Sequence, residues 1–248
     1  MALLSLSEIN KSFDSRQVLK NINLNISQGE FVSLVGVSGS GKSTLLNIIA
    51  GLEKPDSGIV LLNGESLNGK TGKVSYMFQK DLLFPYYTIL DNVILPLIIS
   101  GMKKEDAQKK AEPFFAQFGL DGTQQKYPKQ LSGGMKQRAA FLRTYLSSKE
   151  LMLLDEPFSA LDMITKNQMH EWYLNVMSKL KLTTLLITHD IEEAILLSDR
   201  IFIMNNVNSN DASNVINEIK VELPFPRNMD LCYTEEFNRL KKMIFAKL

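Results

Sequence analysis

The chain has 248 residues, enough for one large α/β domain or for two smaller lobes with a core each. Its 28 basic and 27 acidic side chains leave a net charge of +1, so no overall field favours nucleic acid or an anionic membrane surface. The single cysteine, Cys232, excludes an intramolecular disulfide, and no uncharged stretch reaches the ~18 apolar residues of a membrane span, so we expect a protein that is soluble by itself.

Short apolar segments separated by turns occupy the chain up to about residue 79. Apolar side chains recur there at mostly two-residue spacing, which is typical of half-buried strands. The predicted strands are 4–9, 18–26, 31–35, 59–62 and 73–78. A helix is predicted to begin at Lys42 and to end at Gly51, because glycine commonly terminates helices.

From residue 80 to about 148 the pattern becomes mostly helical, and alternating strands and helices then return. The predicted helices are 88–100, 103–119, 135–147, 162–180, 191–197 and 234–247, the last capped by Thr234. The predicted strands are 151–154, 183–187, 200–204 and 215–223, with a polar loop at 205–211. This alternation predicts a mostly parallel sheet with helices on both faces.

A glycine-rich loop lies between the third predicted strand and the helix at Lys42. Its residues are Gly36, Val37, Ser38, Gly39, Ser40, Gly41, Lys42, Ser43 and Thr44. Glycines let backbone N–H groups converge on a phosphate, and the following helix directs its positive end at the same anion. Lys42 can reach the β- and γ-phosphates, and the Ser43 hydroxyl can bind Mg²⁺. The loop therefore predicts a site for a nucleoside triphosphate rather than a turn that merely starts a helix.

The apolar strand 151–154 ends in two adjacent carboxylates, Asp155 and Glu156. In phosphate-loop NTPases an acidic residue at such a strand end belongs to the Mg²⁺ shell, which is the role predicted for Asp155. Glu156 would then lie beside the γ-phosphate, where it could orient or deprotonate an attacking water. A strand that simply ends in a charged turn has the same pattern, so this interpretation depends on the phosphate loop.

A serine and two glycines, Ser132, Gly133 and Gly134, open a predicted helix further along the chain. A helix N-terminus with a hydroxyl and free N–H groups is suited to an anion, although an ordinary serine cap explains the pattern in isolation. Together with the helix that follows the phosphate loop, the chain would then have two helix N-termini that can bind phosphate. A second copy could therefore offer the Ser132 end to the γ-phosphate held by the first.

Together these motifs resemble the nucleotide-binding subunit of an ATP-binding cassette (ABC) transporter over roughly residues 3–204. The motifs, in the family's order, are 36–44, Gln79, 131–135, 151–156, 159–162 and His189. The resemblance implies an α/β fold with a P-loop NTPase (RecA-like) core, an antiparallel β subdomain and an inserted α-helical subdomain. Residues 1–248 would form a single ABC ATPase domain. Its parts would be the core with the β subdomain (1–79 and 149–204), the helical subdomain (80–148) and a C-terminal strand and helix extension (205–248).

The resemblance also implies which residues bind ATP and Mg²⁺. Phe13 would stack on the adenine with help from Val18, although Phe13 could equally be a core residue. Lys42 and the amides of the loop would hold the phosphates. Ser43, Gln79 and Asp155 would complete the Mg²⁺ site.

Catalytic roles and trans contacts follow from the same resemblance. Glu156 would be the catalytic base, and His189 would be the γ-phosphate contact that organises the attack. Ser132, Gly133 and Gly134 would act in trans on the ATP of a second ATPase subunit. Asp162 lies in a segment expected to cross the interface of this homodimer, with ATP bound between the subunits.

Three details resemble the nitrate/sulfonate/taurine importer branch of the family, which also includes importers of pyrimidine vitamin precursors. They are Met135 and the segments 156–162 and 223–227; Ser159 and the asparagine-rich loop 205–210 depart from that branch. A member would work at the cytoplasmic face of the cell membrane, as a peripheral subunit bound to transmembrane permease subunits. It would act indirectly with an extracytoplasmic solute-binding protein and would not bind nucleic acid. The aromatic segment 80–87 would receive a permease helix or belong to the local core.

The function predicted from the sequence is therefore ATP hydrolysis that powers a membrane importer of a small solute. An exporter or a lipoprotein-release system would carry nearly the same core motifs. A soluble ABC ATPase that acts as a clamp is another alternative, although such relatives usually carry long coiled-coil arms or two fused cassettes. A small-molecule kinase would leave 131–135 unexplained.

Overall fold

The computed structural model describes residues 2–14, 16–147, 149–180, 182–207, 213–224 and 226–248. Residues 208–211 of the predicted polar loop lie outside the described residues. Within the described ranges, none of the helices combines the length and the apolar character needed to cross a membrane.

Ten strands and seven α-helices form in the described part of the chain. The strands are β1 (Ala2–Phe13), β2 (Arg16–Ser27), β3 (Phe31–Gly36), β4 (Ser57–Leu62), β5 (Glu65–Ser66), β6 (Ser75–Met77), β7 (Leu151–Asp155), β8 (Thr183–Thr188), β9 (Arg200–Met204) and β10 (Val215–Lys220). The helices are α1 (Lys42–Ile49), α2 (Ile89–Ile99), α3 (Lys104–Gln117), α4 (Gly133–Leu146), α5 (Met163–Leu180), α6 (Ile191–Leu197) and α7 (Glu235–Phe245).

The strands form two sheets of different direction. The smaller sheet has the order β2-β1-β4-β5, and all its neighbours are antiparallel. The larger sheet has the order β10-β9-β3-β8-β7-β6, and only its edge pair, β9 with β10, is antiparallel. The predicted fold class, a mostly parallel α/β core with an antiparallel β part, is confirmed.

Side chains on β3 alternate between two buried apolar clusters, one on each face of the larger sheet. Phe31 and Val35 belong to a cluster that includes side chains of α2 to α7. Val32 and Leu34 belong to another, which α1 and the smaller sheet complete. A parallel strand buried on both faces reads as a continuous apolar run, which is why 31–35 could be predicted as a strand.

Parallel pairing brings three distant motifs to one edge of the larger sheet. Val35, just before the glycine-rich loop, is in register with Thr188 at the end of β8, and Ile187 is in register with Asp155 at the end of β7. His189 follows Thr188 directly. The loop, the acidic pair and the histidine therefore lie side by side at the carboxyl ends of adjacent strands.

Side-chain caps determine several helix boundaries. The Thr88 hydroxyl accepts a hydrogen bond from the Asp91 N–H (3.1 Å) and caps α2, which begins close to the predicted residue 88. The Ser132 hydroxyl accepts from the Met135 N–H (3.3 Å), so α4 begins at Gly133, two residues before the predicted start. Gly51 adopts φ +74°, a left-handed conformation, and its N–H donates to Ile48, which confirms the predicted glycine terminus.

The C-terminal segment packs against α6. Strand β10 ends at Lys220 rather than at the predicted residue 223, although the Val221 N–H still bonds the Asp199 carbonyl (2.9 Å), one position beyond the last β9–β10 pair. The buried Arg227 guanidinium then donates to the carbonyls of Val221 and Ser198. This arrangement fixes the chain that leads to α7.

The division of the chain into core, helical subdomain and C-terminal extension stays a prediction.

Candidate functional site

The glycine-rich loop turns tightly between β3 and α1. Gly36 packs so closely on β9 that a Cβ atom there would lie 2.0 Å from the Met204 carbonyl oxygen. Gly41 adopts φ +101°, and a Cβ atom on it would lie 3.0 Å from the Val18 carbonyl oxygen. Only glycine fits both positions, so the backbone of the loop is close-packed against β9 and β2.

Lys42, the first residue of α1, folds back along the inside of this loop. Its Nζ donates to the carbonyl oxygens of Gly36 (2.8 Å) and Val37 (2.9 Å). Burial lowers the pKa of the Lys42 ammonium from its ordinary value, while the charges of Glu156 and Asp155 oppose this effect. A buried ammonium held by neutral carbonyls is well placed to meet an anion that enters the loop.

A cavity of about 400 Å³ opens over the loop and contains most of the residues predicted to bind phosphate. It is lined by Val18, Ser38, Gly39, Gly41, Lys42, Ser43, Thr44, Glu156 and His189. Its size falls within the range of ligand sites in proteins. The loop lines the cavity with backbone amides, hydroxyls and one ammonium, and the remaining lining includes a carboxylate and an imidazole. Together these groups form a suitable environment for a phosphate chain.

Asp155 is half-buried at the end of β7 and lies next to a tyrosine that sequence reasoning missed. The Tyr76 hydroxyl donates to Asp155 Oδ2 (3.3 Å). Burial raises the pKa of the Asp155 carboxyl, and the hydrogen bond from Tyr76 opposes the rise. Tyr76 lies on β6, in register with Leu153 of β7. The only signal in the sequence was a tyrosine inside a predicted strand, and its partner depends on long-range pairing.

Glu156 connects three segments that are distant in sequence: its own, the segment of Gln79 and residues 187–189. Its backbone adopts φ +45°, a left-handed conformation that is strained for glutamate, and its N–H donates to the Ile187 carbonyl (2.9 Å). Glu156 Oε2 lies 3.3 Å from His189 Nδ1 and accepts a hydrogen bond from Gln79 Nε2 (3.3 Å). Gln79 also donates to the Ser159 hydroxyl (3.1 Å), so Ser159 has a partner at the site.

The position of His189 is supported by a lysine that the motifs did not indicate. Asp190 caps α6 by accepting from the N–H groups of Glu192 (2.9 Å) and Glu193 (3.2 Å). Its carboxylate also accepts from Lys166 Nζ of α5 (2.6 Å). Although burial alone would raise the pKa of Asp190, these bonds lower it. The His189 side chain itself is 62% exposed and free to meet a ligand.

Phe13 and the Ser132 end of α4 do not line this cavity. The Phe13 ring is 44% exposed and lies 5.0 Å from the Lys11 ammonium, so it is not a core residue. Ser132 and Gly133 are exposed, whereas Gly134 is buried against Thr165, near the start of α5. Within one chain, the structure thus brings together the loop, Asp155, Glu156, Gln79 and His189, and leaves the Ser132 end apart from them.

Comparison with known sequences gives consistent matches. A family model described as "ABC transporter" matches residues 19–159. The formylaminopyrimidine import ATP-binding protein of Halalkalibacterium halodurans is 45% identical, over 99% of this chain and 96% of that protein. An aliphatic sulfonates import ATP-binding protein of Bacillus cereus is 38% identical, over 98% and 94% of the two chains. The nitrate import ATP-binding protein of Synechocystis is 38% identical, over 89% and 83%.

Solved structures match at a similar level. A bacterial ABC transporter cassette, solved as a dimer, superposes with a TM-score of 0.74 at 33% identity, covering 89% of this chain and all of that one. A dimeric post-hydrolysis state of the same cassette, bound to ADP and phosphate, gives a TM-score of 0.73 at 32% identity with the same coverage.

The buried ammonium of Lys42 gives a direct test of the cavity. We expect Lys42→Ala to weaken ATP binding roughly 100-fold, since charge-assisted hydrogen bonds to phosphate are lost from a buried site. Titration with a fluorescent ATP analogue measures the change. Lys73→Ala, at an exposed and distant lysine, is the matched control and should bind like the wild type. Unchanged affinity in Lys42→Ala would contradict the assignment of the cavity.

Proposed function

The chain belongs to the ABC transporter family, and on that premise we propose that it is the ATP-hydrolysing subunit of a membrane importer for a small solute. The observation that carries the proposal is the convergence of Lys42, Glu156 and His189 on one cavity above a phosphate loop. The three relatives described above are each named as import ATP-binding proteins. The site supports ATP hydrolysis, and the relatives support import.

The donor set at the cavity fits Mg²⁺ bound together with ATP. The Ser43 hydroxyl, the Gln79 amide oxygen and the Asp155 carboxylate are the hard oxygen ligands that this ion prefers. Among the described residues, no three or more His, Cys, Asp or Glu side chains cluster to hold a metal on their own. This agrees with an ion that takes further ligands from phosphate and water. When bound, Mg²⁺ would neutralise part of the phosphate charge.

The side chains around Glu156 suit it to act on a water molecule. Hydrogen bonding from Gln79 and contact with His189 hold its carboxylate in the lining of the cavity, which also includes the loop that would hold the phosphates. There Glu156 would orient a water and accept its proton as the water attacks the γ-phosphate. His189 is exposed enough to contact that phosphate, and Lys42 would stabilise the charge on its oxygens.

A second copy of the chain would complete the site. Ser132 and Gly133 form the exposed N-terminus of a 14-residue helix, α4, whose free N–H groups favour an anion. Met163 and Ile164, just after Asp162, are also strongly exposed (78% and 71%), an apolar surface that a partner would cover. If the γ-phosphate bridges two copies, ATP favours the closed dimer and hydrolysis releases it.

The aromatic segment 80–87 would form part of the surface for the permease. Phe84, Tyr86 and Tyr87 are 48%, 90% and 47% exposed, so the alternative that this cluster is local core is wrong. The Arg143 guanidinium donates to the carbonyls of Asp81 (2.6 Å) and Leu82 (2.8 Å), which holds the backbone of the segment. Gln79 precedes it directly, so movement at the nucleotide would reach this surface. The chain would act at the cytoplasmic face of the membrane, and a solute-binding protein would act only through the permease.

The solute is inferred from the named relatives. The relative named for formylaminopyrimidine is 45% identical and those named for sulfonates and nitrate are 38% identical. We therefore propose a small aminopyrimidine first and a small anion second. An exporter or lipoprotein-release ATPase would share the site but not these relatives, and the net charge of +1 gives no overall positive field that favours a nucleic-acid clamp.

Glu156→Gln tests the ATPase mechanism. The amide is isosteric but cannot accept the proton, so we expect the turnover number to fall at least about 100-fold while ATP still binds. Because the triphosphate then persists, the variant should form dimers with ATP and Mg²⁺ in size-exclusion chromatography. Glu65→Gln, at an exposed residue of β5, should behave like the wild type. A variant that stays monomeric with ATP, or that retains turnover, would refute the mechanism.

Uptake tests the direction of transport and the solute. Cells would express this chain together with its permease subunits, and would receive a labelled N-formyl aminopyrimidine, an alkanesulfonate or nitrate. We expect ATP-dependent accumulation of the aminopyrimidine with the wild type and none with Glu156→Gln. Accumulation of one of the anions instead would reassign the solute. Efflux, or uptake that Glu156→Gln leaves unchanged, would contradict import powered by this chain.

A further inference from the structure

A fully buried asparagine at the start of β10 connects the C-terminal part of the chain to the nucleotide cavity. The exposed fraction of Asn214 is 0%. Its Nδ2 donates to the carbonyl oxygens of Ser40 (3.1 Å) and Val18 (3.1 Å). Its Oδ1 accepts from the Lys20 N–H (2.9 Å). The side-chain amide therefore uses both of its ends, and it bonds two segments that are remote from it in sequence.

The two carbonyls belong to the two adjacent segments that line the cavity around Gly41. Ser40 lies in the phosphate loop, two residues before Lys42, and Val18 lines the cavity from β2. The two segments approach so closely that a Cβ on Gly41 would touch the Val18 side chain and carbonyl. A single amide that donates to both carbonyls thus fixes the spacing between the phosphate loop and the part of the cavity lining that Val18 of β2 forms, here called the Val18 wall.

Asn214 is itself held firmly by its backbone. Its N–H donates to the Lys20 carbonyl (3.3 Å), and its carbonyl accepts from the Asn205 N–H (2.9 Å) at the end of β9. The side chain is therefore anchored to β2 and to the edge of the larger sheet. The asparagine-rich loop at 205–210, in which this chain departs from the importer branch, begins at Asn205 and precedes Asn214 in sequence.

The phosphate loop needs such a partner. Ser40 lies between Gly39 (φ +79°) and Gly41 (φ +101°), two glycines that have access to many backbone conformations. A buried carbonyl without a hydrogen-bond partner costs free energy. Loss of the Asn214 bond to the Ser40 carbonyl would therefore favour other conformations of the phosphate loop. Only a fraction of the molecules would then have the phosphate loop in the conformation that binds phosphates.

We propose that Asn214 is a positioning residue for the nucleotide, which preforms the cavity by tying the phosphate loop to the Val18 wall. The inference rests on the proposed function, because it assumes that ATP binds in this cavity. The apparent dissociation constant equals the intrinsic one divided by the fraction of molecules that are competent to bind. Loss of the amide lowers that fraction, so it weakens binding without removing any group that touches the ligand.

Two variants of Asn214 test the proposal. Asn214→Asp is isosteric and keeps an acceptor for the Lys20 N–H, but it places carboxylate oxygens against the Ser40 and Val18 carbonyls. Asn214→Ala removes the whole amide. We expect both to weaken ATP binding roughly tenfold, as a fall of the competent fraction to about one tenth requires. The KM for ATP should rise by the same factor, while the turnover number at saturating ATP stays within about twofold.

Asn205→Ala is the matched control. Asn205 lies in the same region, and its Nδ2 donates to the Lys247 carbonyl (3.0 Å) rather than to the cavity. A purely structural role of asparagine bonding here would lower the melting temperature of all three variants and leave the KM of each unchanged. That result would overturn the proposal. Weakened ATP binding in the Asn214 variants alone supports it.

Hydrogen exchange of the wild type tests the same link without a variant, in case neither substitution folds. Coupling between two sites is reciprocal, so ATP should protect the amides of residues 213–220 as well as those of the phosphate loop. Protection confined to the loop would refute the role of Asn214. If the wild type itself fails to bind ATP, the proposed function is wrong. If the wild type binds and the Asn214 variants bind equally well, only this inference fails.

Discussion

The parallel pairing of β3, β8 and β7 determines where this protein can carry out chemistry. Because these strands run in the same direction, their carboxyl ends place the phosphate loop, His189 and the Asp155–Glu156 pair at one edge. The strands are buried on both faces, so a one-residue shift in register would move their side chains from one close-packed cluster into the other. The packed core therefore fixes the spacing of polar groups that are more than a hundred residues apart.

Features encoded locally could be predicted from the sequence, whereas those that depend on pairing could not. The glycines around Lys42, the caps at Thr88 and Thr234 and the apolar strands have local signatures, and the structure confirms the elements that they predict. Tyr76 and Lys166 gave no such signal, because their importance comes from partners on other strands and helices. The left-handed conformation of Glu156 is likewise set by the Ile187 carbonyl on the neighbouring strand.

In the proposed mechanism, one chain holds only part of the ATP site. The cavity of one chain is not lined by the Ser132 end of α4, where Ser132 and Gly133 are exposed. The two solved structures described above, of one cassette in two states, are both dimers. A nucleotide that contacts both copies would convert hydrolysis into a change of assembly. The exposed aromatic segment next to Gln79 would pass that change to a membrane partner.

Mixing two inactive variants tests this composite site most directly. Lys42→Ala has an intact Ser132 end, and Ser132→Arg has an intact phosphate loop, so only a mixed dimer contains one complete site. The account predicts that an equimolar mixture recovers up to roughly a quarter of wild-type ATPase activity, since half of the dimers are mixed and each has one of two sites. A mixture no more active than the sum of its two components would contradict the account.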